Sequence, residues 1–142
     1  ETVTNPDTWF TLKIRVHSAA GSSNTYYKFY HIYKKTNKIV KLGDLAKDNS
    51  FLDVLVKEIK RQMKEQMETD SSIVYWLDDS IIGKDYVSLT EDDNFYWNDN
   101  GDLVIIFDKY EVGPGSMGTP EFVIDKEIIR DVLKSEFKDV IS

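Results

Sequence analysis

The sequence contains no cysteine, which excludes disulfide scaffolds, thiolate zinc sites and cysteine nucleophiles together. Histidine is almost as scarce: His17 and His31 are the only two. Both fall in segments that read as strands, so neither has the i,i+4 helical spacing of zinc hydrolases. They are expected on a strand surface or as satisfied core residues. No apolar run approaches the roughly 20 residues that a bilayer-crossing helix needs. Positive charge is in deficit, with 18 basic against 25 acidic side chains and a net charge of −7. Such a field repels a polyanion such as DNA and steers in a basic protein.

The common catalytic signatures are missing as well. There is no P-loop and no dinucleotide fingerprint. The nearest approach to a nucleophile elbow, Gly115-Ser116-Met117-Gly118, lies between two strands, where an elbow needs a strand followed by a helix. A calcium loop with Gly101 at its sixth position would need ligands at Tyr96 and Phe107, and neither side chain can serve. The carboxylates Asp78, Asp79, Glu91, Asp92, Asp93, Asp99 and Asp102 read as solvated surface. No catalytic residue, metal site or cofactor is expected, and the chain is read as a binding protein with no enzymatic activity.

What is present is globular composition: 142 residues, 41% hydrophobic and 30% charged, enough for one domain with a core of its own. The chain opens on Glu1-Thr2-Val3 with no Met and no apolar leader, and is read as a single domain, 1–142, with its signal or anchor upstream. Alternation over residues 9–17 predicts a strand burying Phe10, Leu12, Ile14 and Val16. A small polar loop containing Ser22 leads to an aromatic strand at 25–33, with Tyr27, Phe29, His31 and Tyr33 on one face. A short third strand begins at Ile39-Val40-Lys41-Leu42. Ser50 reads as the N-cap of a helix running to about Glu68, with Leu52, Leu55, Ile59, Met63 and Met67 on its buried stripe. Residues 70–93 show no clear period and are left unassigned. Phe95-Tyr96-Trp97 and Leu103-Val104-Ile105-Ile106-Phe107 form a hairpin around Asn100-Gly101, where glycine supplies positive φ. A loop with three glycines and two prolines follows, expected to be extended with its backbone exposed. The strand Glu121-Phe122-Val123-Ile124 comes next, then a final helix capped by Asp125 that buries Ile128, Ile129, Val132, Leu133, Phe137 and Val140. The fold class is α+β, with order β-β-β-α, an unassigned connection, then β-β-β-α. The loop from Glu111 to Pro120 is the candidate site, since long loops in compact domains are often functional.

The segment NFYWNDNGDLVIIFDKYEVGPGSMGTPEFVIDKEIIRDVL resembles the C-terminal extracytoplasmic domain family of the anti-sigma-V factor RsiV. The family shows an aromatic strand, an acidic turn, an apolar strand, a Tyr-Glu-(Ile/Val)-x-Pro loop, a strand and a closing helix. YYKFYHIYKKTNKIVKLGDLAKDNSFLDVLVKEIKRQMKEQM is similar to the same family upstream. The resemblance implies an extracytoplasmic sensor, anchored to the cell membrane in the full-length protein, whose missing cytoplasmic part holds a sigma factor. It implies that lysozyme is the protein ligand, bound by loops entering its substrate cleft. Binding then exposes the anchor to signal peptidase and to intramembrane cleavage. By position, Pro114 and Ser116 fall in the lysozyme-contacting loop, which makes Gly113, Pro114, Gly115, Ser116, Met117 and Gly118 the partner-binding residues. Ser22 marks a second contact, in the loop Ala20-Gly21-Ser22-Ser23, where many relatives carry Gly-Gly-Ala-His. The wealth of Lys, Asn, Ile, Asp and Tyr suits an exported protein of a low-GC Gram-positive bacterium. Two other classes remain: a cell-wall or carbohydrate-binding module, favoured by the aromatic strand, and an accessory domain of an exported polysaccharide deacetylase. Because no metal site is expected, a chelator should leave the melting temperature unchanged, and a drop of several degrees in a thermal melt with EDTA would overturn that reading.

Overall fold

The computed structural model describes residues 2–4, 7–18, 24–79, 84–85 and 87–141. Its first sheet is antiparallel, with β1 (Thr2–Thr4), β2 (Trp9–Ser18), β3 (Asn24–Tyr33) and β4 (Lys38–Ile39) in sequential order. β2 and β3 pair along their whole length, from Trp9 opposite Tyr33 to Ser18 opposite Asn24. The turn into β4 places Asn37 at φ 55°, a left-handed conformation that Asn tolerates better than most residues. The expected third strand is shorter than its apolar run. Val40 still bonds to the His31 carbonyl at 2.9 Å, but Leu42 and Leu45 are buried from a 3-10 turn, Leu42–Leu45.

The buried face of β2 is the opposite of the one its aliphatic alternation predicts. Trp9 and Thr11 are fully buried, whereas Ile14 is 40% exposed. Register explains the reversal: Trp9 and Thr11 lie opposite Tyr33 and His31, on the face that carries the large rings of β3. Aromatic side chains bury more surface than aliphatic ones, so they select the inner face. Thr11 is tolerated there because Trp9 Nε1 donates to its Oγ1 at 3.0 Å and its Oγ1 lies 2.9 Å from His31 Nδ1.

Helix α1 (Ser50–Thr69) buries Phe51, Leu55, Ile59 and Met63, a strict i,i+4 stripe, while Leu52 and Met67 pack at its margin. Ser50 is its first residue and does not cap it. The Asp48 carboxylate takes that role in part, accepting from the Ser50 N–H at 2.8 Å. On the solvent side Arg61 bridges Glu58 and Glu65.

The second sheet is also antiparallel, in the order β7 (Phe95–Trp97), β8 (Leu103–Ile106), β9 (Glu121–Ile124). Gly101 sits at φ 80° in the hairpin turn, where the Asn98 side chain accepts from Asn100 and Asp102 N–H, each at 3.0 Å. β8 is buried on both faces, and α1 packs over β9, with Gln62 Nε2 donating to the Val123 carbonyl at 2.9 Å. The unassigned stretch holds a minimal antiparallel pair, β5 (Asp78–Asp79) and β6 (Lys84–Asp85).

The expected closing helix is broken. Asp125 caps as predicted, accepting from Glu127 N–H at 2.8 Å, but α2 ends after one turn (Lys126–Ile129). A bridge pairs Leu133 with Ala46, and Lys47 and Lys134 N–H donate to the Val132 and Leu45 carbonyls at 2.9 Å each. These bonds occupy backbone that a continuous helix would use for itself. A 3-10 turn (Ser135–Phe137) and α3 (Lys138–Ile141) complete the chain. Ile129, Leu133, Phe137 and Ile141 are all buried while Ile128 is 39% exposed, so the period of four belongs to a segmented strap.

Trp9 joins these parts. Its ring lies 5.9 Å from Trp97 and 6.0 Å from Phe137, both edge-on, and within 6.4 Å of Phe95. His31, beside it, stacks on Phe95 at 3.9 Å. Burial depresses its pKa to about 3, with the Phe95 backbone pulling weakly the other way. The sign follows directly. Unfolded His31 binds a proton below 6.5 while folded His31 stays neutral, so stability is complete above pH 6.5 and declines toward pH 3. Between pH 7 and 5 urea unfolding should show the wild type losing about 2 kcal/mol more than His31→Gln, and parallel losses would show that His31 is not held neutral.

Candidate partner-binding site

Within the loop between β8 and β9, residues 112–120 are anchored at both ends, and Ser116 is the only exposed residue among them. Val112 is fully buried, and its carbonyl accepts from Trp76 N–H at 2.7 Å. Gly113 is buried too; a Cβ there would stand 2.9 Å from the Val74 carbonyl oxygen, so this glycine is needed for close backbone approach. At the far end Pro120 is buried, and Phe107 N–H donates to its carbonyl at 2.9 Å. Between these anchors the chain forms a 3-10 turn, Gly115–Met117, closed by bonds from Met117 N–H to Pro114 at 3.0 Å and from Gly118 N–H to Gly115 at 3.1 Å.

The loop is therefore a compact turn, in place of the expected extended segment. Two facts account for it: Met117 folds back so that its Cγ approaches Gly113, and Gly118 leaves the turn at φ 64°, where glycine has no steric penalty. Of the six residues 113–118, only Ser116 is exposed; Pro114, Gly115, Met117 and Gly118 are half-buried. Tyr110 precedes the loop at φ 70° and is 62% exposed, with its hydroxyl lying against Gly115. Ser116 and Tyr110 thus form the accessible crest. Ser22 lies outside the described residues.

Beside this loop is a cleft of about 600 Å³ that the sequence reading did not foresee. One wall is residues 26–31 of β3; the other brings together Asp92, Asp93, Asp108 and Glu111. The cause is hairpin geometry. Phe95 pairs with Ile105, so the acids just before β7 and just after β8 meet at the open end of the hairpin. That signal was available, because antiparallel pairing of two strands implies adjacency of their flanks. Burial raises the pKa of Asp93, Asp108 and Glu111, and repulsion among neighbouring carboxylates raises each further. Hydrogen bonds from Thr90 to Asp93 and from Asp108 N–H to Glu111 work partly against this. Among the described residues no three His, Cys, Asp or Glu side chains are placed to hold a metal ion.

A protein family described as of unknown function, DUF3298, matches residues 43–127. The chain belongs to the DUF3298 family. Its likeness to the anti-sigma-V factor RsiV of Bacillus subtilis (strain 168) is 35% identity over 136 residues, which is 96% of this chain and 47% of that protein. The domain is therefore RsiV-like, and it spans about half the length of that curated relative. The fold recurs in a DUF3298 member from Bacteroides fragilis, with a TM-score of 0.72 at 17% identity over 97% of this chain and 53% of the other. A DUF3298 protein from Pseudomonas aeruginosa PAO1 gives 0.69 at 13% identity over 95% and 60%. No helix among the described residues of this DUF3298 domain is long and apolar enough to cross a membrane.

The two tight glycines of the loop should respond differently. Gly113→Ala presses a methyl group into fixed backbone and should lower stability by about 1–3 kcal/mol. Gly115→Ala meets only the tip of the Tyr110 side chain, which can swing away, and should cost less. Chemical unfolding of both variants tests this order, and equal losses would contradict it.

Proposed function

We propose that this DUF3298 domain is the extracytoplasmic ligand-binding part of an RsiV-like anti-sigma factor, and that its ligand is lysozyme. The observation that carries the reading is the likeness to the anti-sigma-V factor along 96% of the chain, which includes the loop at 113–118. In this reading the turn at Pro114 and Ser116 enters the lysozyme substrate cleft, and the loop containing Ser22 makes a second contact. The net charge of −7 supports a basic partner and should act mainly on the association rate. The domain is a regulator with no catalytic activity. Its sigma factor is held by a cytoplasmic part of the full-length protein, and ligand binding opens the anchor to signal peptidase.

The rigid ends of the loop favour this use. A turn pinned by Val112, Gly113 and Pro120 presents Ser116 in one shape and loses little conformational entropy on docking. The carbohydrate reading draws less support, since His31 and Tyr33 of the aromatic strand are buried in the core. Calorimetry of the purified domain with C-type lysozyme should give a complex. Ser116→Arg should weaken it by about 2 kcal/mol, roughly thirtyfold, with an unchanged melting temperature. Absence of heat with the parent protein at micromolar concentrations would remove lysozyme as the ligand, and full affinity in a folded Ser116→Arg would remove the loop as its contact.

A further inference from the structure

The acidic cleft lies along an open strand edge. β4 pairs with Ile32 and Tyr33 of β3, and Val40 N–H donates to the His31 carbonyl at 2.9 Å; before His31 that edge has no further strand partner among the described residues. There the Tyr27 carbonyl already accepts a side-chain bond from Asn94 Nδ2 at 2.8 Å. An open edge offers main-chain groups to an extended peptide. The opposite wall offers negative charge: Asp92 is occupied by Lys41 at 3.0 Å, which leaves Asp93, Asp108 and Glu111 repelling one another. A third feature is independent of the acids. His31 is 2% exposed and lines the same cleft, yet its Nε2 makes no hydrogen bond. Trp9 N–H donates to Thr11, whose hydroxyl lies 2.9 Å from His31 Nδ1, so it is the Nδ1 side of the ring that the core satisfies.

We propose that this cleft takes an extended, lysine- or arginine-bearing segment of a partner protein, laid along the open edge of β3 with its cationic head among Asp93, Asp108 and Glu111. Such a segment supplies what each wall lacks. Its main chain brings acceptors and donors to the strand edge, and its alkyl stem needs only an apolar wall. Its charge relieves the repulsion among the acids. A saccharide fits less well, because the rings it would stack on are engaged: Lys13 Nζ lies 4.4 Å from the centre of the Tyr27 ring, and Phe29 stacks on Tyr96 at 5.8 Å. A bare metal ion fits less well too, as the carboxylates are not gathered closely enough to coordinate one.

The inference rests on reading the domain as one that binds a protein, but its test uses no lysozyme, so the two readings fail separately. The probe is a capped pentapeptide, Val-Lys-Val-Lys-Val, titrated into the isotopically labelled domain and followed by amide chemical shifts. Shifts are expected at residues 26–31 and 108–111. The Gln-for-Lys peptide should bind about tenfold more weakly or worse, and so should the Asp108→Asn, Glu111→Gln double variant. The peptide comparison is made on the unmodified domain, so it holds even where the double variant folds poorly. Absence of shifts at these residues, equal binding of the two peptides, or full affinity in a folded double variant would overturn the proposal. Shifts at the same amides with a chitooligosaccharide and none with the lysine peptide would overturn it in favour of a sugar.

Discussion

Trp9 is the residue on which three otherwise separate parts of the chain converge. Its indole touches Tyr33 in its own sheet, Phe95 and Trp97 in the second sheet, and Phe137 in the C-terminal strap. Ring pairs of this geometry each contribute about 0.5–1.5 kcal/mol beyond the area they bury. A buried indole also carries an N–H that needs an acceptor, and Thr11 meets that need from two residues away, which brings a hydroxyl into the core and His31 with it. The strap is held by the same cluster: the Tyr33 hydroxyl donates to the Glu136 carbonyl at 2.7 Å and lies near Asp139, which also pairs with Lys35.

That cluster also sets the functional surfaces. Phe95 stacks on His31 and Asn94 bonds to the Tyr27 carbonyl, so the acidic end of the β7–β8 hairpin comes to rest opposite the open edge of β3. The width of the cleft is thus a by-product of core packing. The loop at 113–118 is placed by the second sheet and by residues 74–76, through Val112 and Gly113. Residues that hold the loop and residues that display themselves from it are different, so stability and recognition can vary independently at neighbouring positions.

Charge enters as a property of position as much as of number. Glu58, Glu65 and Glu127 sit on helix surfaces beside arginines, where exposed pairs contribute little. Asp93 and Glu111 are half-buried with Asp108 exposed beside them, none with an arginine partner among the described residues, and the same repulsion that raises their pKa values favours a cation beside them.

The local features were legible in the residues themselves. The i,i+4 stripe of α1, the Gly101 turn, the Asp125 cap and the pairing of Phe95-Tyr96-Trp97 with the apolar strand after it need only near neighbours in sequence. So did membership of an RsiV-like family, since its motifs run along the chain. The inner face of β2, the end of β4, the division of the last helix and the fold of the loop at 113–118 were decided only in three dimensions. In each, a distant partner outweighs the local pattern: the rings of β3 for Trp9, the backbone of residues 45–47 for the strap, the Val74 carbonyl for Gly113. The acidic cleft lies between these cases. Its carboxylates are plain in the sequence and their adjacency follows from the hairpin, but only tertiary packing sets them against the edge of β3, because burial and a facing wall are properties that no linear spacing contains.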